Sequence, residues 1–186
     1  GADILPYGAW LARMYDDLTH GPRFLDSPQA PPALVSEFQE FLIWEKIISD
    51  SGAADGLLDV ANTARSVQEA WALCQQWQVP VAEDMAWTAP DPAVFARWAA
   101  DFGRFCEKSN LLDRSRLAGW LAACAEEGAI SAQSDLILAG FEELSPVQER
   151  LLSALARLGD RISHLARPAK EARACRVRIA DDDSEI

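Results

Sequence analysis

The amino-acid sequence predicts a predominantly helical α/β chain, a helical subdomain joined to a small parallel sheet. Two patterns carry that expectation. From about residue 5 to residue 127, apolar side chains recur at helical spacing in successive segments separated by Gly- and Pro-containing breaks. From residue 135 onward, short apolar runs flank a capped helix, the mark of a strand–helix–strand unit. Composition agrees. With 49% hydrophobic and 25% charged residues over 186 positions, the chain carries enough apolar side chain for one domain, or for one domain and part of another.

Leu5 to Leu18 reads as a short helix with Trp10, Leu11, Met14 and Leu18 along one face, ended by His20-Gly21-Pro22. Residues 26–32 form a Pro-rich loop. A strong helix follows from about Pro32 to Ser49, where Leu34, Phe38, Phe41, Leu42 and Ile48 keep the 3.6-residue period and Glu45 alone breaks the apolar face. Gly52 to Gly56 is a break. The next helix spans about Leu57 to Trp77, with Leu57, Val60, Ala64, Val67, Trp71 and Cys74 as its stripe and Pro80 as its stop. Residues 79–90 connect it to a helix opened by Asp91 as N-cap and Pro92 at the first position, with Phe95, Trp98, Phe102 and Phe105 facing inward. Leu111-Leu112-Asp113 then starts another helix with Asp113 as N-cap and Leu117, Trp120, Leu121 and Cys124 inside, closed by Gly128.

The pattern changes at Asp135-Leu-Ile-Leu-Ala-Gly140, an apolar run of the kind a buried parallel strand shows. Ser145-Pro146-Val147-Gln148 is a capping box with Pro in the first turn, and it opens a helix carrying Leu151, Leu152, Leu155 and Leu158 that ends at Gly159. Further strands are expected at Arg161–Leu165 and at Ala174–Ala180, where Cys175, Val177 and Ile179 alternate with Arg176 and Arg178.

Composition excludes several function classes. No window approaches the 18 uninterrupted apolar residues of a membrane-spanning helix, and no signal peptide is visible, so a cytoplasmic chain with no membrane partner is expected. Its first residues read as the middle of a longer protein. Cys74, Cys106, Cys124 and Cys175 lie in apolar patterns without metal-ligand spacing, and His20 and His164 are isolated, so buried free thiols and no metal site are expected. The net charge of −12 argues against a free-standing nucleic-acid binder. One stretch departs from it: residues 161–178 carry a local charge of +5, from Arg161, Arg167, Lys170, Arg173, Arg176 and Arg178 against Glu171. The carboxylate pairs Asp16-Asp17, Glu126-Glu127 and Glu142-Glu143 sit at polar positions and read as solvated surface.

The glycines are scattered, and neither GxxxxGK[ST] nor GxGxxG occurs, so this segment lacks the usual cradle for a nucleotide. No nucleophile elbow or Cys/His dyad signature is present. The most informative stretch is Leu136-Ile137-Leu138-Ala139-Gly140-Phe141-Glu142-Glu143-Leu144-Ser145-Pro146-Val147-Gln148. It resembles the magnesium-binding, Walker B-like motif of superfamily 1 DNA helicases, a hydrophobic strand followed by D-E-F-Q-D-x-x-x-x-Q. It is closer still to the AddB-type subunit of bacterial helicase–nucleases, whose strand ends in a D-G-F-x-x-F-T-P-Q-Q-like turn. Gly140-Phe141 and Ser145-Pro146 match that turn. The chain departs where the chemistry sits: the metal-holding Asp aligns with Ala139 and the catalytic Glu with Gly140. A methyl group and a hydrogen bind no magnesium and polarise no water. Phe141, Glu142, Glu143 and Gln148 complete the degenerate motif. Without the resemblance, the same residues are an ordinary strand–turn–helix in which Gln148 serves only the capping box.

More diffuse similarity runs through Asp3–Met14 and Phe95–Leu117. Together these stretches resemble a bacterial family of DNA repair proteins, inactivated superfamily 1 helicases with a PD-(D/E)XK nuclease domain far downstream. The resemblance implies an N-terminal fragment: residues 1–25 begin the helicase-like core, 26–130 are a helical insertion subdomain, and 131–186 are a strand–helix–strand part of the core. It implies no catalytic residue, metal or cofactor in this chain, and therefore no enzyme activity of its own. The implied role is to scaffold or bind DNA in repair or recombination for the nuclease domain. Arg167, Lys170, Arg173, Arg176 and Arg178 are the clustered candidates for DNA contact, although alternate residues of a strand also ordinarily face solvent. A second reading is a protein-interaction scaffold that docks a repair partner such as a motor subunit, without touching DNA. In that reading Trp44 and Trp87 are candidate exposed anchors, with core packing as the other expectation for Trp44.

Overall fold

Helix caps and paired prolines set most of the element boundaries. The computed structural model describes residues 3–21, 24, 30–52, 59–81, 90–131 and 135–165. Among these the chain is mostly helical, with two small parallel sheets of two strands each. Helix α1 spans Tyr7–Thr19 and buries Leu11, Met14 and Leu18, as its periodicity predicts. After it, Pro31-Pro32 hold the chain extended, and Ala33–Leu34 form strand β1 rather than the first turn of a helix. Helix α2 begins only at Glu37, where the Ser36–Gln39 capping box supplies the stronger start signal, and runs to Asp50.

The buried side of α2 differs from the expected stripe. Glu40, Trp44 and Ile48 point inward, whereas Phe38 is 66% exposed and Leu42 is exposed as well. Glu45 is half-buried, so the polar residue on the buried face is Glu40. Trp44 has no exposed surface, which removes it as a docking anchor. Trp87 lies outside the described residues.

Helix α3 covers Val60–Gln76 with Asp59 as its N-cap, the carboxylate accepting the Asn62 amide at 3.0 Å. It buries Ala64, Val67 and Trp71 and leaves Cys74 half-buried. Helix α4 covers Pro90–Lys108. Asp91 therefore lies inside its first turn instead of capping it. The inward side of α4 is Ala96, Trp98, Ala99, Phe102 and Cys106, and Phe105 stays partly exposed. Leu111–Leu112 form strand β2, which pairs with β1 in parallel register, Ala33 to Leu111 and Leu34 to Leu112. Asn110 fastens this pairing: its side-chain amide donates to the Ala30 and Pro31 carbonyls at 3.2 Å each. The Tyr15 hydroxyl ties β1 to α1, donating to the Pro32 carbonyl at 2.6 Å and accepting the Leu34 amide at 3.2 Å.

Helix α5 spans Arg114–Glu126 behind the Asp113 N-cap, as the sequence predicts. Strand β3 (Asp135–Ala139), helix α6 (Pro146–Leu158) and strand β4 (Arg161–Leu165) follow at the expected places. Gly159 closes α6 in the left-handed conformation, φ 110°. β3 and β4 pair in parallel from Asp135–Arg161 to Ala139–Leu165, and Arg161 forms a bidentate ion pair with Asp135 across the first rung, at 2.7 and 2.8 Å.

Two hydrophobic cores result. One joins α1, α5 and α6 through Leu11, Met14, Leu121, Leu151 and Leu155, with Leu136 of β3 packed against it. The other joins α2, α3 and α4 around Trp44, Trp71 and Phe102. Helix α3 also packs on α5, which bridges the two. Each fully buried leucine contributes about 1.5–3 kcal/mol. The β3 run was expected to be buried on both faces. Instead exposure alternates along it, with Ile137 at 69%, and Leu165 of β4, the partner of Ala139, is 65% exposed. The core covers one face of this pair, and nothing among the described residues covers the other. The expected strand Ala174–Ala180 lies outside the described residues.

Candidate functional site

The degenerate motif occupies the C-terminal end of β3. Ala139 ends the strand exposed, and Gly140 turns the chain at φ 83°. Phe141 folds back onto α1, its ring edge-on to Tyr7 with centroids 5.9 Å apart and planes at 80°. Tyr7 in turn contacts Trp10 at 5.8 Å. Burial leaves the Tyr7 hydroxyl without a hydrogen-bond partner and pushes its pKa up to about 12. Glu142 and Glu143 are exposed, as read from the sequence. Gln148 is committed to the cap: its Oε1 accepts the Ser145 amide at 2.8 Å. The reciprocal half of the capping box is weaker, since the buried Ser145 hydroxyl has no full hydrogen bond. No carboxylate stands at the strand end, where Ala139 and Gly140 offer no side-chain oxygen. The turn fixes the strand to the helix and to α1, and its two carboxylates, Glu142 and Glu143, are exposed.

Gly140 is there for its backbone. A Cβ at this position meets nothing within 4 Å, so the only penalty for a side chain is the left-handed φ. Gly140→Ala is expected to destabilise the fold by about 1 kcal/mol, read as a lowered midpoint in chemical denaturation. No loss would mean that the turn relaxes freely.

The basic stretch contributes one described residue, Arg161, and its guanidinium is engaged by Asp135. Arg167, Lys170, Arg173, Arg176 and Arg178 lie outside the described residues. On the opposite side of α6, Arg150 grips Glu126 at 3.0 and 2.7 Å and holds its carboxyl below the usual range, with Arg157 at 3.7 Å. Glu126 is thus a partly screened surface ion pair of modest weight.

A second cluster, not anticipated from the sequence, lies where α2, α3, α4 and the start of α5 meet. Asp113 has no exposed surface. Its carboxylate accepts the Trp71 indole N–H at 3.3 Å, the Arg116 amide at 3.1 Å and the Arg116 Nε in a short contact. The Arg116 guanidinium sits 5.9 Å from both the Trp71 and Phe102 ring centres. Glu40 is 2% exposed, and its Oε1 has no hydrogen-bond partner. Burial first, and then the Asp113 charge, push the Glu40 carboxyl up to about 7. The Trp44 indole, the Arg114 amide and the Gln68 side chain approach it and pull partly the other way. Cys106 completes the cluster, fully buried, its thiol pushed to about 11 chiefly by burial. Such a thiol is protonated and unreactive at neutral pH.

The sequence held one sign of this cluster. Glu40 is in phase with Trp44 and Ile48, a spacing that puts a carboxylate on an apolar face of the helix. Among the described residues no three metal-ligating side chains converge, and no helix is long and apolar enough to cross a membrane. No protein-family model, curated protein or solved structure matches this chain.

Proposed function

We propose that this chain is a non-catalytic, helicase-like segment of a cytoplasmic DNA repair or recombination protein, which scaffolds or holds DNA for a PD-(D/E)XK nuclease domain elsewhere in the parent protein. One observation carries the reading: a parallel strand–turn–helix–strand unit, β3–α6–β4, whose strand ends in Ala139-Gly140 and whose helix starts on Ser145-Pro146 and Gln148. On this reading the unit corresponds to the helicase motif with its acidic groups gone. Phe141 and Gln148 keep structural tasks in it, a ring contact with α1 and a helix cap. The helices ahead of the sheet then correspond to the insertion subdomain.

Binding of a fluorescent duplex with a single-stranded tail, followed by anisotropy across a salt series, tests the reading. The expected result is binding that weakens steeply with salt and is lost when Arg173, Arg176 and Arg178 are changed together to Ala. Absence of binding even at low salt would overturn DNA contact by this chain. It would favour the second reading, a scaffold docking a partner such as a motor subunit. The specific observation behind that alternative is the exposure of Ile137 and Leu165 on one face of the β3–β4 pair among the described residues.

A further inference from the structure

The buried cluster holds two carboxyl groups and one guanidinium. Asp113 is the partner of Arg116 and accepts from it twice, by amide and by Nε. Glu40 is left with no cation of its own. The groups facing it come from every element packed around it: the Asp113 carboxylate and the Arg114 amide at the start of α5, the neutral Cys106 thiol from α4, Gln68 from α3, and Trp44 from its own helix. An ionised Glu40 would place a second negative charge beside Asp113, with an unsatisfied Oε1, in a dry interior. Charge balance in the cluster is reached only with Glu40 neutral.

We infer that Glu40 is stored as the carboxylic acid and works as a proton latch: α2 stays packed on α3, α4 and α5 while that proton is bound and loosens when it leaves. The site responds near physiological pH, because the folded value of about 7 stands above the 4.5 of an ordinary glutamate. The sign follows from proton binding. Between those two values the folded chain holds a proton that the unfolded chain has lost, so the Glu40 contribution to stability is full below pH 4.5, falls as pH rises to about 7 and changes little above it. Within that window acidification tightens the helical half and rising pH loosens it.

Carbon-13 NMR of the Glu40 side-chain carboxyl in the unaltered protein reads the proton directly, and a midpoint near 7 is expected. Amide exchange, corrected for intrinsic rates, should show protection of residues 37–50 falling relative to α6 between pH 5 and pH 8. Glu40→Gln keeps the shape and removes the titration. It should match the unaltered protein at pH 5 and melt roughly 5 °C higher at pH 8. A midpoint in the ordinary glutamate range, a variant that tracks the unaltered protein at both pH values, or α2 and α6 protection that change in step would each overturn the latch.

Discussion

Asp113→Ala is expected to cost about 3 kcal/mol of folding stability, one of the two largest single effects in this chain. The loss combines three events. The α5 N-cap disappears, which alone costs about 1 kcal/mol. The Trp71 indole N–H loses its acceptor inside the core. The Arg116 guanidinium, whose Nη2 already lacks a partner, is left against two aromatic rings without its counter-charge. Because 29% of the Arg116 side chain reaches solvent, part of that charge can rehydrate, which keeps the cost below that of a sealed ion. Asp113→Asn retains a cap acceptor and should cost about half as much. Urea denaturation with an unchanged slope measures both. If Asp113→Ala costs under about 0.5 kcal/mol, as ordinary surface substitutions do, the cluster contributes as little as an exposed ion pair.

The same cluster shows where sequence reasoning reaches its limit. Signals confined to a few neighbouring residues were legible. The Asp113 cap, the Ser145–Gln148 start, the Gly159 stop and both strands of the β3–β4 pair stand where the sequence puts them. Each depends on chemistry within one turn of the chain, so no distant packing is needed to read it. The two-residue strands β1 and β2 were not legible. Ala33 and Leu111 are separated in the chain by α2, α3 and α4, and two residues carry no periodicity to reveal the pairing. The burial of Ile137 was over-read for a related reason. An unbroken apolar run fits a strand covered on both sides, but the sequence does not show whether a second layer exists to cover it.

Of the candidate site, Ala139 to Gln148 was found as a structural unit, and Gln148 performs the capping role that its spacing alone implies. The helicase resemblance adds a reading of what Ala139 and Gly140 have replaced, and it rests on the motif residues rather than on the fold. Glu40 lies in phase with Trp44 and Ile48 wherever the helix begins, since the angle between two side chains depends only on their separation at about 100° per residue; the stripe through Phe38 and Leu42 marks a different side of the same helix.

That phase has a direct test, which is also the other large effect. Trp44→Ala is expected to destabilise the protein by about 4 kcal/mol. The indole has no exposed surface, lies stacked on Phe102 at 4.0 Å with planes 7° apart, and meets Trp71 edge-on at 6.0 Å. Its removal opens a large cavity between three helices and breaks two aromatic contacts, each adding about 0.5–1.5 kcal/mol beyond area burial. Trp44→Phe should recover more than half of the loss, because a phenyl ring keeps most of the buried area and the stacking on Phe102. Phe38→Ala, on the same helix, should cost less than about 0.5 kcal/mol, since its ring is 66% exposed. The periodicity read from the sequence, with Phe38, Phe41, Leu42 and Ile48 inward, makes Phe38 a costly position instead. Thermal melts of the two alanine variants therefore decide which side of α2 faces the core, and with it whether Glu40 is buried at all.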